Sequence, residues 1–96
     1  MEFAKASMEQ ALTFIRDNLI NVPVRIIIQS EDNTIDAQTK STISRALKAG
    51  SSFELHGENM LDVFIEVDNI EEYLISDELL EIQIITKDHR VLVKRV

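Results

Sequence analysis

Apolar residues recur at helical spacing near the start of the chain. Ala4, Met8, Ala11, Leu12, Ile15 and Leu19 fall on one stripe, which predicts a helix over residues 2–19. Phe3 and Phe14 lie off that stripe, so a second side of this helix is expected to be covered by the core or by a partner. Asn21 to Pro23 break the pattern, and residues 22–29 follow as an apolar, β-branched run that suits a strand. Pro23 cannot donate to a ladder and belongs at the start of that strand. Three consecutive isoleucines, Ile26, Ile27 and Ile28, imply burial on both faces and a central place in a sheet.

Ser30 to Asn33 are turn residues, and residues 34–37 can return briefly as a second strand. Thr39, Ile43, Ala46 and Leu47 then share a helical face. They predict a second helix over residues 37–49, capped near Asp36 and closed by Gly50 in the left-handed region. Residues 53–67 alternate: Phe53, Leu55, Leu61, Val63, Ile65 and Val67 on one side, Glu54, His56, Asp62, Phe64 and Glu66 on the other. A three-residue loop at 57–59 keeps core residues opposite core residues, pairing Leu55 with Leu61 and Phe53 with Val63. A short helical turn follows from Asp68 or Asn69 to about Ile75, with Ile70, Tyr73 and Leu74 inward. Residues 80–86 and 91–96 read as a last hairpin, with Ile84 opposite Val93, Thr86 opposite Val91, and Ile85 meeting Leu92 on the other face. The expected fold is therefore α+β: a single domain over residues 1–96, with an antiparallel-dominated sheet of about five strands packed against two helices and a short third helical turn.

Composition narrows the chemistry. The 96 residues contain no cysteine, so disulfides, thiolate metal sites and thiol nucleophiles are excluded. No apolar run approaches the length that spans a bilayer, and acidic residues stand where a signal peptide needs positive charge, so a soluble, cytoplasmic protein is expected. The two histidines, His56 and His89, lie near no serine elbow or oxyanion loop, which argues against a nucleophilic triad. Glu54, His56, Asp62 and Glu66 share one side of the predicted hairpin. They define a metal-dependent enzyme as a third reading, behind two non-catalytic ones that need no metal and no cofactor.

Charge changes the picture most. The net charge is −7, and all of it lies in the second half. Residues 1–50 carry six acids and six bases, while residues 51–96 carry eleven acids and four bases. No lysine or arginine occurs between Lys48 and Lys87. Such a field repels nucleic acid and attracts basic partners. Two basic clusters lie outside the gap, Lys40, Arg45 and Lys48 in one and Lys87, Arg90, Lys94 and Arg95 in the other. Neither has the interleaved aromatics that stack on bases. Direct nucleic-acid binding is therefore not expected.

The leading expectation is a non-catalytic domain that binds a basic protein partner, such as a nucleic-acid-binding enzyme. It would do so through Glu54, Asp62, Phe64, Glu66, Asp68, Glu71 and Glu72, with Phe64 as an apolar anchor among carboxylates. In size and charge the chain resembles the small acidic inhibitors that phages and other mobile elements use against host nucleases and defence enzymes. That resemblance implies an inhibitor acting as a nucleic-acid mimic. The alternative is a homodimeric or larger structural or adaptor module, joined through Phe3, Phe14, Ile85, Leu92 and Val96.

Overall fold

In the computed structural model, which describes residues 3–96, the described chain is mostly strand. Its elements run β1 (Ala4–Ala6), α1 (Met8–Asn18), β2 (Pro23–Ser30), β3 (Ile35–Ala49), β4 (Ser52–Gly57), β5 (Asp62–Glu66), a 3-10 turn (Val67–Asn69), β6 (Ile70–Ser76), β7 (Glu81–Thr86) and β8 (His89–Arg95). All eight strands join one antiparallel sheet in the order β1-β6-β7-β8-β2-β3-β4-β5. The expectation of about five strands on two helices is thus corrected to eight strands and one α-helix among the described residues.

Two predicted helical segments are strands, and both errors have one cause. In β3, Ile43 pairs with Gly57 and Arg45 with His56, leaving Ser44 as a bulge. The extra residue flips the alternation, so Ile43 and Ala46, three apart, both face the core. In β6, Ile70 pairs with Thr86 and Glu72 with Ile85, leaving Glu71 as a bulge. Ile70 and Tyr73, again three apart, both pack inward. A bulged strand therefore carries the spacing of a helix face. The 3-10 turn at Val67–Asn69 is what remains of the predicted third helical element.

The N-terminal helix is shorter than residues 2–19. Ala4–Ala6 pair with β6 instead, and the predicted start at Glu2 lies outside the described residues. Ser7 ends this strand and caps α1. Its hydroxyl accepts from the Gln10 amide at 3.1 Å, and its own amide donates to Gln10 Oε1 at 2.8 Å. Ala11, Leu12, Phe14 and Ile15 bury against the sheet, and Arg16 Nε donates to the Ala46 carbonyl at 3.0 Å beside the β3 bulge.

β2 lies between β8 and β3, so the central position expected for it holds; Ile26 and Ile27 are both buried although they face opposite sides. Both predicted hairpins form with each residue on its expected face, but each slides by two residues. Leu55 meets Val63 rather than Leu61, and Ile84 meets Val91 rather than Val93. Gly50 does take a left-handed φ of 59°, but in the two-residue β3–β4 turn rather than at a helix end. One core collects residues from α1 and from seven strands, with Phe53 and Tyr73 meeting inside it. No helix among the described residues is long and apolar enough to cross a membrane.

Candidate functional site

Alternation along the β4–β5 hairpin turns Phe53, Leu55, Val63 and Ile65 inward and Glu54, His56, Asp62, Phe64 and Glu66 outward. Cross-strand register sets His56 opposite Asp62 and Glu54 opposite Phe64. On the other side of β4, Arg45 stands opposite His56 and Leu47 opposite Glu54. The imidazole lies between two carboxylates: Nδ1 is 2.7 Å from Asp62 Oδ1, and Nε2 is 2.8 Å from Glu54 Oε1. The Phe64 ring meets it edge-on, with centroids 5.5 Å apart.

The contact with Glu54, and then that with Asp62, raises the His56 pKa above 6.5; desolvation and Arg45 oppose the shift. Only the imidazolium can donate from both nitrogens, so this geometry belongs to the charged ring. Both ring nitrogens of His56 are engaged by carboxylates. Among the described residues no group of three His, Asp or Glu side chains is placed to hold a metal ion. Glu66 shares the face, but its nearest polar contact is Asn69 Nδ2 at 3.4 Å.

The remaining acidic residues continue along the chain rather than across the sheet. Asp68 is exposed in the 3-10 turn, and Glu71 is exposed on the β6 bulge. Glu72 points outward from β6 and lies 3.9 Å from Lys5. Asp77 and Glu78 sit in the β6–β7 turn, and Glu81 is nearly buried, with Oε2 accepting from Gln83 Nε2 at 3.0 Å. The fold therefore joins Glu54, Asp62, Phe64 and Glu66 on one face, leaves Asp68 in the turn that follows β5, and sets the later acids apart, with Glu71 lining a depression beside Lys87 and Arg90. Among the described residues, no lysine or arginine lies within 4.0 Å of Glu54, Asp62, Glu66, Asp68 or Glu71. Phe64 is 60% exposed in their midst.

The residues considered for self-association are placed unevenly. Phe14 and Leu92 are covered within one chain, Phe3 and Ile85 are half-buried, and Val96 is exposed.

A second charged surface was not foreseen. Because β2 lies between β8 and β3, Lys94, Arg25 and Lys40 stand opposite one another across three strands. Two basic clusters far apart in sequence thus meet through Arg25, whose Nε is buried with no hydrogen-bond partner. The one hint in the sequence was Arg25 itself, the only charge in an apolar run; the strand order that gives it meaning is non-local. Arg45, by contrast, faces His56, and Lys48 stands opposite Phe53, so neither extends this strip.

A surface depression of about 620 Å³ lies between β1 and α1 and is lined by Lys5, Glu9, Thr13 and Asp17 among others. Comparison with protein-family models, with curated proteins and with solved structures finds no match to this chain.

Proposed function

We propose that this protein is a non-catalytic binding domain that docks a basic protein partner on the outer face of its β4–β5 hairpin. The observation that carries this reading is the exposed Phe64 ring among the carboxylates of Glu54, Asp62 and Glu66: His56 offsets part of the charge of the first two, and no lysine, arginine or histidine is paired to Glu66 among the described residues. An aromatic anchor ringed by charge supplies both parts of such an interface: burial gives affinity, and the carboxylates give steering and choice of partner. Asp62 and Glu66 lie four residues apart on the strand, so their carboxylates form a row of two about 13 Å apart with Phe64 between them. A basic groove that receives nucleic-acid phosphates accepts a row of this kind. The proposed role is accordingly that of a cytoplasmic inhibitor mimicking nucleic acid. Self-association through apolar faces has less to stand on, because Phe14 and Leu92 are already covered within one chain.

The test is titration of the folded protein with an arginine-rich peptide at low and high salt. Binding should weaken steeply with salt and be lost when Glu54, Asp62 and Glu66 are all changed to lysine. Phe64→Ser should weaken it while leaving the circular dichroism unchanged. A folded triple variant that binds as well as the parent would overturn the reading.

A further inference from the structure

We infer that the open edge of β5 receives an extended basic segment of the partner as a ninth strand of the sheet. This rests on the reading of the β4–β5 face given above and adds the mode of binding. β5 is the last strand in the order, and among the described residues no strand lies along its other side. The ladder to β4 fixes which of its backbone groups are free. The Gly57 amide donates to the Leu61 carbonyl at 2.9 Å, and the Val67 amide donates to the Ser51 carbonyl at 2.8 Å. Antiparallel pairing alternates, so Val63 and Ile65 also bond toward β4, while the N–H and C=O groups of Asp62, Phe64 and Glu66 point to the open side. Three successive donor–acceptor pairs stand there as a template for strand addition.

The side chains on those same three residues select the occupant. A second copy of β5 would set Asp62 and Glu66 against like charges, which disfavours pairing between copies. A partner strand with basic, apolar and basic residues at alternate positions places a cation opposite each carboxylate and an apolar side chain opposite Phe64. Its intervening residues fall beside Val63 and Ile65 on the core side and are best apolar and β-branched. The other end of the sheet, β1, offers only Ala4–Ala6 and no such pattern.

The experiment uses the full chain and three peptides. One contains Lys-Val-Leu-Val-Lys; the second is the same peptide N-methylated at the Lys, Leu and Lys amides; the third is nona-arginine. The first should bind at least about tenfold tighter than the second. It should slow amide hydrogen exchange at Asp62, Phe64 and Glu66, with Val63 and Ile65, already bonded to β4, little changed. Equal binding of the methylated peptide, or no protection at those three amides, overturns strand addition. If nona-arginine still binds in a salt-sensitive way, the acidic face survives that result. If none of the three binds, the face falls too, and the edge proposal with it. Dimerisation of the chain alone, with the same three amides protected, would assign the edge to a second copy and likewise overturn the proposal.

Discussion

The rings of Phe53 and Tyr73 lie 5.8 Å apart, tilted by 43°, although four strands separate β4 from β6 in the sheet. In a flat sheet, five strand spacings would hold them about 24 Å apart. The sheet is therefore rolled, and this pair closes its interior. The Tyr73 hydroxyl is buried there without a hydrogen-bond partner, and burial raises its pKa. An unpaired buried hydroxyl costs stability that its ring restores through packing. Tyr73→Phe should thus leave the protein as stable or more so, by about 1 kcal/mol, while Tyr73→Ala should cost about 3–5 kcal/mol. Urea denaturation of both variants measures this, and a clearly destabilised Tyr73→Phe would show that the hydroxyl has a partner.

The roll depends on features that a linear pattern hides. Faces were legible: His56, Asp62, Phe64 and Glu66 fall on one side of the hairpin, as alternation requires. Loop lengths were not, because sliding a hairpin by two residues preserves every face, so pattern alone cannot separate the Leu55–Leu61 register from the Leu55–Val63 register. Bulges at Ser44 and Glu71 turned strand alternation into helix-like spacing, and the helix-forming residues of 45–49 reinforced the misreading. The acidic surface was legible as composition. Its division, and the joining of Lys40, Arg25 and Lys94, follow from strand order, which depends on contacts between distant parts of the chain.

His56 makes the stability of the β4–β5 face pH-dependent. Its pKa in the folded state lies above the 6.5 of a free imidazole, through Glu54 first and Asp62 second. The proton is therefore held more tightly by the folded protein. The stabilisation is complete below pH about 6.5 and is lost as pH rises through the raised folded value. Denaturation midpoints should fall between pH 6 and pH 9 in the parent, and that part of the slope should vanish in His56→Gln. An unchanged slope in His56→Gln would mean that the ring is not charged between its two carboxylates. Asp32 works in the opposite direction. The Ser30 hydroxyl donates to its carboxylate at 2.7 Å, and the Thr34 amide does so at 3.0 Å; such bonds lower its pKa to about 2. Its contribution is present above the ordinary carboxylate range and is lost as pH falls toward 2, so Asp32→Ala should flatten only the acid limb.

Gly57 is required for closeness rather than for an unusual φ. It pairs with Ile43 where β3 bends at its bulge, and a Cβ there would meet the Thr42 carbonyl oxygen. Backbone cannot yield as a side-chain tip can, so Gly57→Ala should cost about 1–3 kcal/mol. Gly50 has open space around it but a φ of 59°, and Gly50→Ala should cost about 1–2 kcal/mol through strain alone. The two can be told apart by asparagine. Asn tolerates the left-handed region, so Gly50→Asn should recover most of the loss, while Gly57→Asn should not. Thermal denaturation of the four variants decides it.

Arg25 stands between Lys40 and Lys94 with a buried Nε that has no partner, and like charges directly opposed across strands repel. For folding alone, this is an unfavourable choice of residue. Its aliphatic stem lies beside the buried Ile27 ladder position, so an apolar replacement of similar length keeps the packing and removes the desolvated nitrogen. Arg25→Met should therefore hold or raise stability by about 1 kcal/mol. Arg25→Glu should also be tolerated, because it places an acid between two lysines. A loss of several kcal/mol in Arg25→Met would mean that the guanidinium is anchored by contacts beyond its unpartnered Nε, and that this row of cations contributes to the fold.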